Sequence, residues 1–228
     1  GLRGDVFRLG RGETISDTAR VISQFASALI IRTFAQSDVD ELGLSATIPI
    51  INALTDEDHP TQLLADWLTI REIFGEDISG RKFTYLGDGN NMSHAWLIMG
   101  AIMGAHIVVA TPEGKWAPDA DVVAQARKLA VVSGATIEVL NDPELAAKNA
   151  SVIYTDVWMS MGDSESDRAE KTKALRPFAV DAHLMDLTAH VAIFLHCLPA
   201  HGVEDVSAEV SVGTTSGIGT ERGPLPPE

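Results

Sequence analysis

The spacing of apolar residues changes period along the chain in a regular way. Between residues 11 and 27, Ile15, Ala19, Ile22 and Phe25 or Ala26 recur at intervals of three and four, the period of one helical face. Thr14, Ser16 and Asp17 supply polar candidates for its cap. Ala28-Leu29-Ile30-Ile31 is a short unbroken apolar run, which predicts a buried strand ending at Arg32-Thr33-Phe34. A short helix over Asp38–Leu42 and a second strand over Pro49–Asn52 follow. Asp58-His59-Pro60 reads as a helix start, because Asp caps and Pro fits the first turn. Leu63, Leu64, Trp67, Leu68 and Ile70 or Arg71 continue that helix to about Phe74.

Beyond a loop bracketed by Gly75 and Gly80, the two periods alternate. The pattern predicts strands at Phe83–Leu86, His106–Ala110, Thr136–Leu140, Val152–Thr155 and Ala192–His196. Helices at Asn91–Met103, Asp119–Ser133 and Pro143–Lys148 lie between them. Short apolar strands alternating with helices imply an α/β fold with a parallel sheet covered on both faces. From Ser211 to Glu228 the periodicity fades into Gly and Pro, which reads as a disordered or artefactual tail.

Composition narrows the function. The formal net charge of −15 repels phosphate backbones, and no basic patch offsets it, so nucleic acid is excluded. A basic membrane-surface helix is disfavoured for the same reason. The longest apolar run, Ala95–Ala110, is broken by Gly100, Gly104 and His106 and is too short to span a bilayer. No apolar leader follows Gly1, and a lone cysteine fits a reducing compartment, so a cytoplasmic location is expected.

In α/β sheets, ligands bind beyond the carboxyl ends of strands, so each strand end is a candidate. Arg32 at the first could grip an anion with paired donors, or be an ordinary surface arginine. His59 and Gln62 share one face of a helix start. There they could serve a polarised carbonyl, or simply form a capping turn. Gly87-Asp88-Gly89-Asn90-Asn91 lacks the third glycine of a dinucleotide loop, so no nucleotide is expected. Asn91 could still orient a polar ligand. Asp156 at a strand end could pair with a substrate ammonium, and Ser160 with the amides after it could take a carboxylate. Cys197, in His196-Cys197-Leu198-Pro199-Ala200-His201, could be a nucleophile, an orienting group or packing. His183, His190, His196 and His201 match no compact zinc pattern, so no metal or cofactor is expected.

These pieces, in this order, resemble the ornithine carbamoyltransferase branch of the aspartate/ornithine carbamoyltransferases, from about Gly10 to about Val210. Gly10-Arg11-Gly12-Glu13-Thr14 with Asp17-Thr18-Ala19-Arg20-Val21 opens the likeness. Ile31-Arg32-Thr33-Phe34, His59-Pro60-Thr61-Gln62, Gly87-Asp88-Gly89-Asn90-Asn91, Asp156-Val157-Trp158 with Ser160-Met161-Gly162, and His196-Cys197-Leu198-Pro199 complete it. The resemblance implies two Rossmann-like domains, the first incomplete. Residues 1–75 would be the carbamoyl-phosphate domain with its bridging helix, residues 76–206 the ornithine domain and 207–228 the tail. It implies that Arg32, His59, Gln62, Cys197 and Leu198 serve carbamoyl phosphate, with His59 on the carbamoyl oxygen and Gln62 on its nitrogen. Asn91, Asp156, Ser160 and Met161 would hold L-ornithine. His59 and Cys197 are the expected catalytic pair, with Cys197 orienting rather than attacking. The implied assembly is a homotrimer.

Departures from the family pattern set further expectations. The family's Ser-Thr-Arg-Thr phosphate clamp is not in this sequence, Arg8 stands where a glutamine is usual, and Gly202-Val203-Glu204-Asp205-Val206 replaces Arg-Gly-Glu-Glu-Val. Each lost charge-assisted phosphate contact is worth roughly 1.5–3 kcal/mol. A truncated chain of low activity, poor stability and doubtful trimerisation is therefore expected. A carbamoyltransferase for another amine and a non-catalytic amino-acid-binding remnant are the alternatives.

Overall fold

The computed structural model describes residues 12–78, 80–159, 164–200 and 204–211. The chain forms two compact units, residues 1–61 and 62–228.

In the first unit, helix α1 (Ile15–Ile22) begins where the Thr14 hydroxyl accepts the Asp17 N–H at 3.0 Å. It stops at Ser23, short of the predicted residue 27, and Phe25 turns outward, 70% exposed. Strands β1 (Leu29–Arg32) and β2 (Ile50–Leu54) pair in parallel, Ile30 opposite Ile51. Helix α2 (Gln36–Ser45) joins them and packs against α1. It is longer than the predicted Asp38–Leu42, because Gln36, Asp40 and Ser45 extend it through polar contacts that apolar spacing does not register. Ala19 and Ile22 of α1 and Val39 and Leu42 of α2 are buried. Ile30 and Ile51 lie side by side, 67% and 39% exposed.

Helix α3 (Pro60–Phe74) runs across the unit boundary. Leu63, Trp67 and Ile70 recur on one face and enter the core of the second unit. By compactness the two units divide near the start of α3.

The second unit is a five-stranded parallel sheet, order β5-β4-β3-β6-β7. Its strands are β3 (Lys82–Leu86), β4 (His106–Ala110), β5 (Thr136–Leu140), β6 (Ala150–Thr155) and β7 (Ile193–His196). Alternate residues face opposite sides. Phe83, Tyr85, Ile107, Val109, Val152 and Tyr154 meet α3, α4 (Asn91–Ile102) and α5 (Ala120–Ser133). Leu86, Val108, Ala110, Ile153 and Phe194 meet α6 (Pro143–Ala147), Phe178, Val180 and Leu184. Gly100 lets α4 lie close on β4, for a Cβ there would stand 2.0 Å from Ile107. No helix among the described residues is long and apolar enough to cross a membrane.

Three helices escaped the periodicity reading: α7 (Arg168–Leu175), α8 (Ala182–Asp186) and α9 (Ala208–Ser211). The first is mostly polar, and the others are a single turn each. Part of the predicted tail is thus built into the fold, with Val210 buried in the second cluster. Residues 212–228 lie outside the described residues.

Candidate functional site

Strand order reverses between β3 and β6, because the chain winds outward from β3 in one direction and from β6 in the other. A crevice at such a point is where open α/β sheets place ligands. The residues there come from the loops after β3, β6 and β7.

After β3, Asn90 caps α4, its Oδ1 accepting the N–H groups of Met92 (3.0 Å) and Ser93 (3.3 Å). The Tyr85 hydroxyl donates to the same oxygen at 3.2 Å. With its carbonyl thus committed, Asn90 turns its Nδ2 to Asp156 and donates to Oδ2 at 2.7 Å. Asp156 follows β6 and is 7% exposed. Its Oδ1 accepts the Val157 N–H at 2.7 Å and the Cys197 thiol at 2.8 Å. Cys197 follows β7. Burial first, then the Asp156 carboxylate, pushes its thiol pKa far above the ordinary range. The thiolate is the nucleophilic form, so this cysteine is a hydrogen-bond donor.

Both flanking loops are braced from below. Lys171 of α7 reaches Asp88 at 2.6 Å, with side chains 2% and 8% exposed, fixing the turn before Asn90. Gly89 seats that turn against residues 117 and 118; a Cβ would stand 2.2 Å from the Ala117 carbonyl carbon. On the β7 side, the Leu198 N–H donates to His196 Nδ1 at 2.8 Å. The His196 proton therefore sits on Nε2, which donates to Asp205 at 2.7 Å, both side chains fully buried. Leu198 is held at φ +55° and is half exposed. The aromatic floor is continuous: Trp96 lies 5.0 Å from Tyr154, and Tyr154 stacks on Tyr85 at 6.1 Å.

Gln62 and Asp66 stand one turn apart on α3. Gln62 Nε2 donates to Asp66 Oδ1 at 3.1 Å. Burial raises the Asp66 pKa to about 6.

In the first unit, Arg32 ends β1 and is exposed. Half-buried His59 precedes α3, its N–H donated to Asp58 Oδ1 at 2.8 Å. That turn is closed by Thr55, whose hydroxyl donates to Gln36 at 2.8 Å.

Of the expected site residues, Asp156 and Cys197 are in direct contact. Asn91 opens α4 beside them, but its neighbour Asn90 makes the bond to Asp156. Ser160 and Met161 lie outside the described residues, as does His201. Sequence reasoning also passed over Tyr85, Tyr154, Asp66, Lys171 and Asp205. Asn90 carried the signal of a helix cap and Asp66 the i+4 spacing from Gln62. A lysine in a polar helix gives none.

Two family models match the chain. One, described as the carbamoyl-P binding domain of aspartate/ornithine carbamoyltransferase, covers residues 3–72. The other, its Asp/Orn binding domain, covers 79–221. The ornithine carbamoyltransferase of Anoxybacillus flavithermus is 49% identical over 216 residues, 95% of this chain and 68% of that protein. That of Symbiobacterium thermophilum is 49% identical over 92% of this chain and 67% of its own length. Among solved structures, the Pyrococcus furiosus ornithine carbamoyltransferase superposes with a TM-score of 0.88 at 46% identity, covering 94% of this chain and 67% of that one. The Gloeobacter violaceus enzyme gives 0.82 at 44% identity, covering 90% and 68%. The chain thus spans about two-thirds of the length of these relatives. Matched through both of its units in sequence and superposed in fold, the chain belongs to the ornithine carbamoyltransferase family of enzymes.

Proposed function

We propose that this chain transfers the carbamoyl group of carbamoyl phosphate to the δ-amine of L-ornithine, giving L-citrulline and phosphate. One observation carries the reading most. A buried carboxylate, Asp156, stands at the switch point, oriented by Asn90 and Cys197 and followed by Ser160-Met161-Gly162. A carboxylate that keeps acceptor capacity suits the α-ammonium of an amino acid. Ser160, Met161 and the amides after them are the groups for its α-carboxylate, and Asn91 the further polar contact.

The family resemblance assigns carbamoyl phosphate its own groups. Arg32 would pair with the phosphate, His59 would donate to the carbamoyl oxygen, and Gln62 would accept from the carbamoyl nitrogen. The neutral δ-amine attacks the carbamoyl carbon, the C–O bond to phosphate breaks, and the amine proton leaves with the phosphate. No covalent enzyme intermediate is required, and the raised thiol pKa at Cys197 argues against one. Catalysis is then positioning, plus hydrogen bonding to the developing oxyanion and the leaving phosphate. The family resemblance implies a cytoplasmic homotrimer, trimerisation of this chain is doubtful, and sedimentation velocity tests it.

The function is tested by following citrulline with ornithine, lysine and putrescine as acceptors. The reading expects ornithine alone to be carbamoylated, and Asp156→Asn to lower kcat/KM for ornithine at least a hundredfold, about 3 kcal/mol. Equal turnover of putrescine, which has no carboxylate, would place the chain among carbamoyltransferases for other amines. Saturable ornithine binding without carbamoyl transfer would make it an amino-acid-binding protein.

A further inference from the structure

We infer that Asp66 is a positioning residue that fixes which end of the Gln62 side-chain amide is offered to substrate. The inference rests on the proposed role of Gln62 toward carbamoyl phosphate.

A primary amide has a donor end and an acceptor end, and rotation about its last torsion exchanges them at little cost. The nitrogen of a carbamoyl group only donates, so Gln62 is useful to it only with its carbonyl forward. Asp66 sets that choice. It lies one helical turn from Gln62, is 6% exposed, and receives the Gln62 N–H at Oδ1, 3.1 Å away. A carboxylate only accepts, so it selects the NH2 end of Gln62 and leaves Oε1 pointing elsewhere.

The surroundings hold Asp66 to this task. Its Oδ2 and the Tyr154 hydroxyl both lack a hydrogen-bond partner among the described residues, although the hydroxyl faces the carboxyl. Gln62 acts on the carboxylate more strongly than Tyr154 does. The ionisable groups around it are Tyr154 on β6, His196 at the end of β7 and Cys197 just beyond. Tyr154 and Cys197 stay protonated, their pKa values raised chiefly by burial. Protonating Asp66 would give it a donor beside its remaining acceptor and remove its charge, so that it no longer selects one end of the Gln62 amide. With its pKa near 6, that happens just below neutrality.

Acetyl phosphate provides the probe, since a methyl group replaces the carbamoyl NH2 while the carbonyl and phosphate are kept. Binding of both ligands to the full chain is measured by calorimetry for the parent, Gln62→Ala, Asp66→Asn and the double variant. The relay predicts that each single variant loses about tenfold in affinity for carbamoyl phosphate, the worth of one hydrogen bond. Acetyl phosphate affinity stays unchanged, and the double variant loses no more than either single one. If Gln62→Ala loses the discrimination and Asp66→Asn keeps it, the relay is overturned while the proposed function stands. If Gln62→Ala keeps it, the role given to Gln62 falls, and the relay with it. A second readout needs no ligand. The Gln62 side-chain NH2 signals, assigned by their disappearance in Gln62→Ala, are followed by NMR from pH 4.5 to 8. A shift centred near pH 6 that Asp66→Asn abolishes supports the relay. Signals that do not move with pH overturn it, including when neither phosphate binds, an outcome that counts separately against the proposed function.

Discussion

The two units are built from the same kind of strand, yet they bury it very differently. In β1 and β2 the paired Ile30 and Ile51 remain 67% and 39% exposed. In β6, all six residues from Ala150 to Thr155 are buried, because helices cover both faces of the sheet. Leu29-Ile30-Ile31 and Val152-Ile153-Tyr154 would be read alike from their residues. Burial is decided by what packs above and below, which a local run of apolar residues does not specify. The difference extends to chemistry. The strand-end groups of the second unit lock one another by direct bonds, whereas Arg32 at the end of β1 is exposed.

The largest test of this contrast is in the core beneath the site. Trp96, fully buried between Trp67 and Tyr154, should cost about 3–5 kcal/mol on replacement by alanine. Exposed Ile30→Ala should cost within about 0.5 kcal/mol. Chemical denaturation measures both, and similar losses would erase the contrast.

The buried pair under the Gly87–Asn90 turn comes next. Lys171→Met removes the lysine from the buried Asp88 carboxylate, which costs up to about 3–5 kcal/mol. Adding Asp88→Asn should recover most of that loss. A denaturation series in which the second change recovers nothing would show the pair to be bystanders.

Asp66 gives a pH effect of about 2–3 kcal/mol at most. Its folded pKa, about 6, lies above its ordinary value of 3.8. Between those values the folded chain keeps a proton that the unfolded chain has lost. This carboxyl therefore favours folding fully below the lower value, and the contribution disappears as pH rises through about 6. The stability difference between Asp66→Asn and the parent should change across this window. A flat difference would contradict the assigned burial. The raised Cys197 pKa works the same way in the alkaline range: its contribution is full below the ordinary thiol value of 9.0 and is lost progressively as pH rises above it. Alkylation of Cys197 at pH 8 should accordingly be slower than that of free cysteine.

Much of this architecture was legible in the residues. Strands from His106 to Ala110 and Thr136 to Leu140 lie where apolar runs predicted them, since a doubly covered parallel sheet demands such runs. Asp156 and Cys197 were legible as strand-end groups, because the switch-point rule directs attention there. The bracing was not. Asn90 touches Asp156 while Asn91 was the residue singled out, and only the cap geometry at the start of α4 separates two adjacent asparagines. Lys171 and Asp88 are 83 positions apart in sequence, and no local pattern announces their pairing. Asp205 sat in a segment read only as a departure from the family pattern, yet it holds the buried His196.

The most direct measurement is the citrulline formed from carbamoyl phosphate and ornithine by the parent chain and by Asp156→Asn, both checked for folding by circular dichroism. The account predicts ornithine-dependent citrulline from the parent and at least a hundredfold lower kcat/KM in the folded variant. Equal rates in the two chains, or no citrulline from a folded parent, would contradict it.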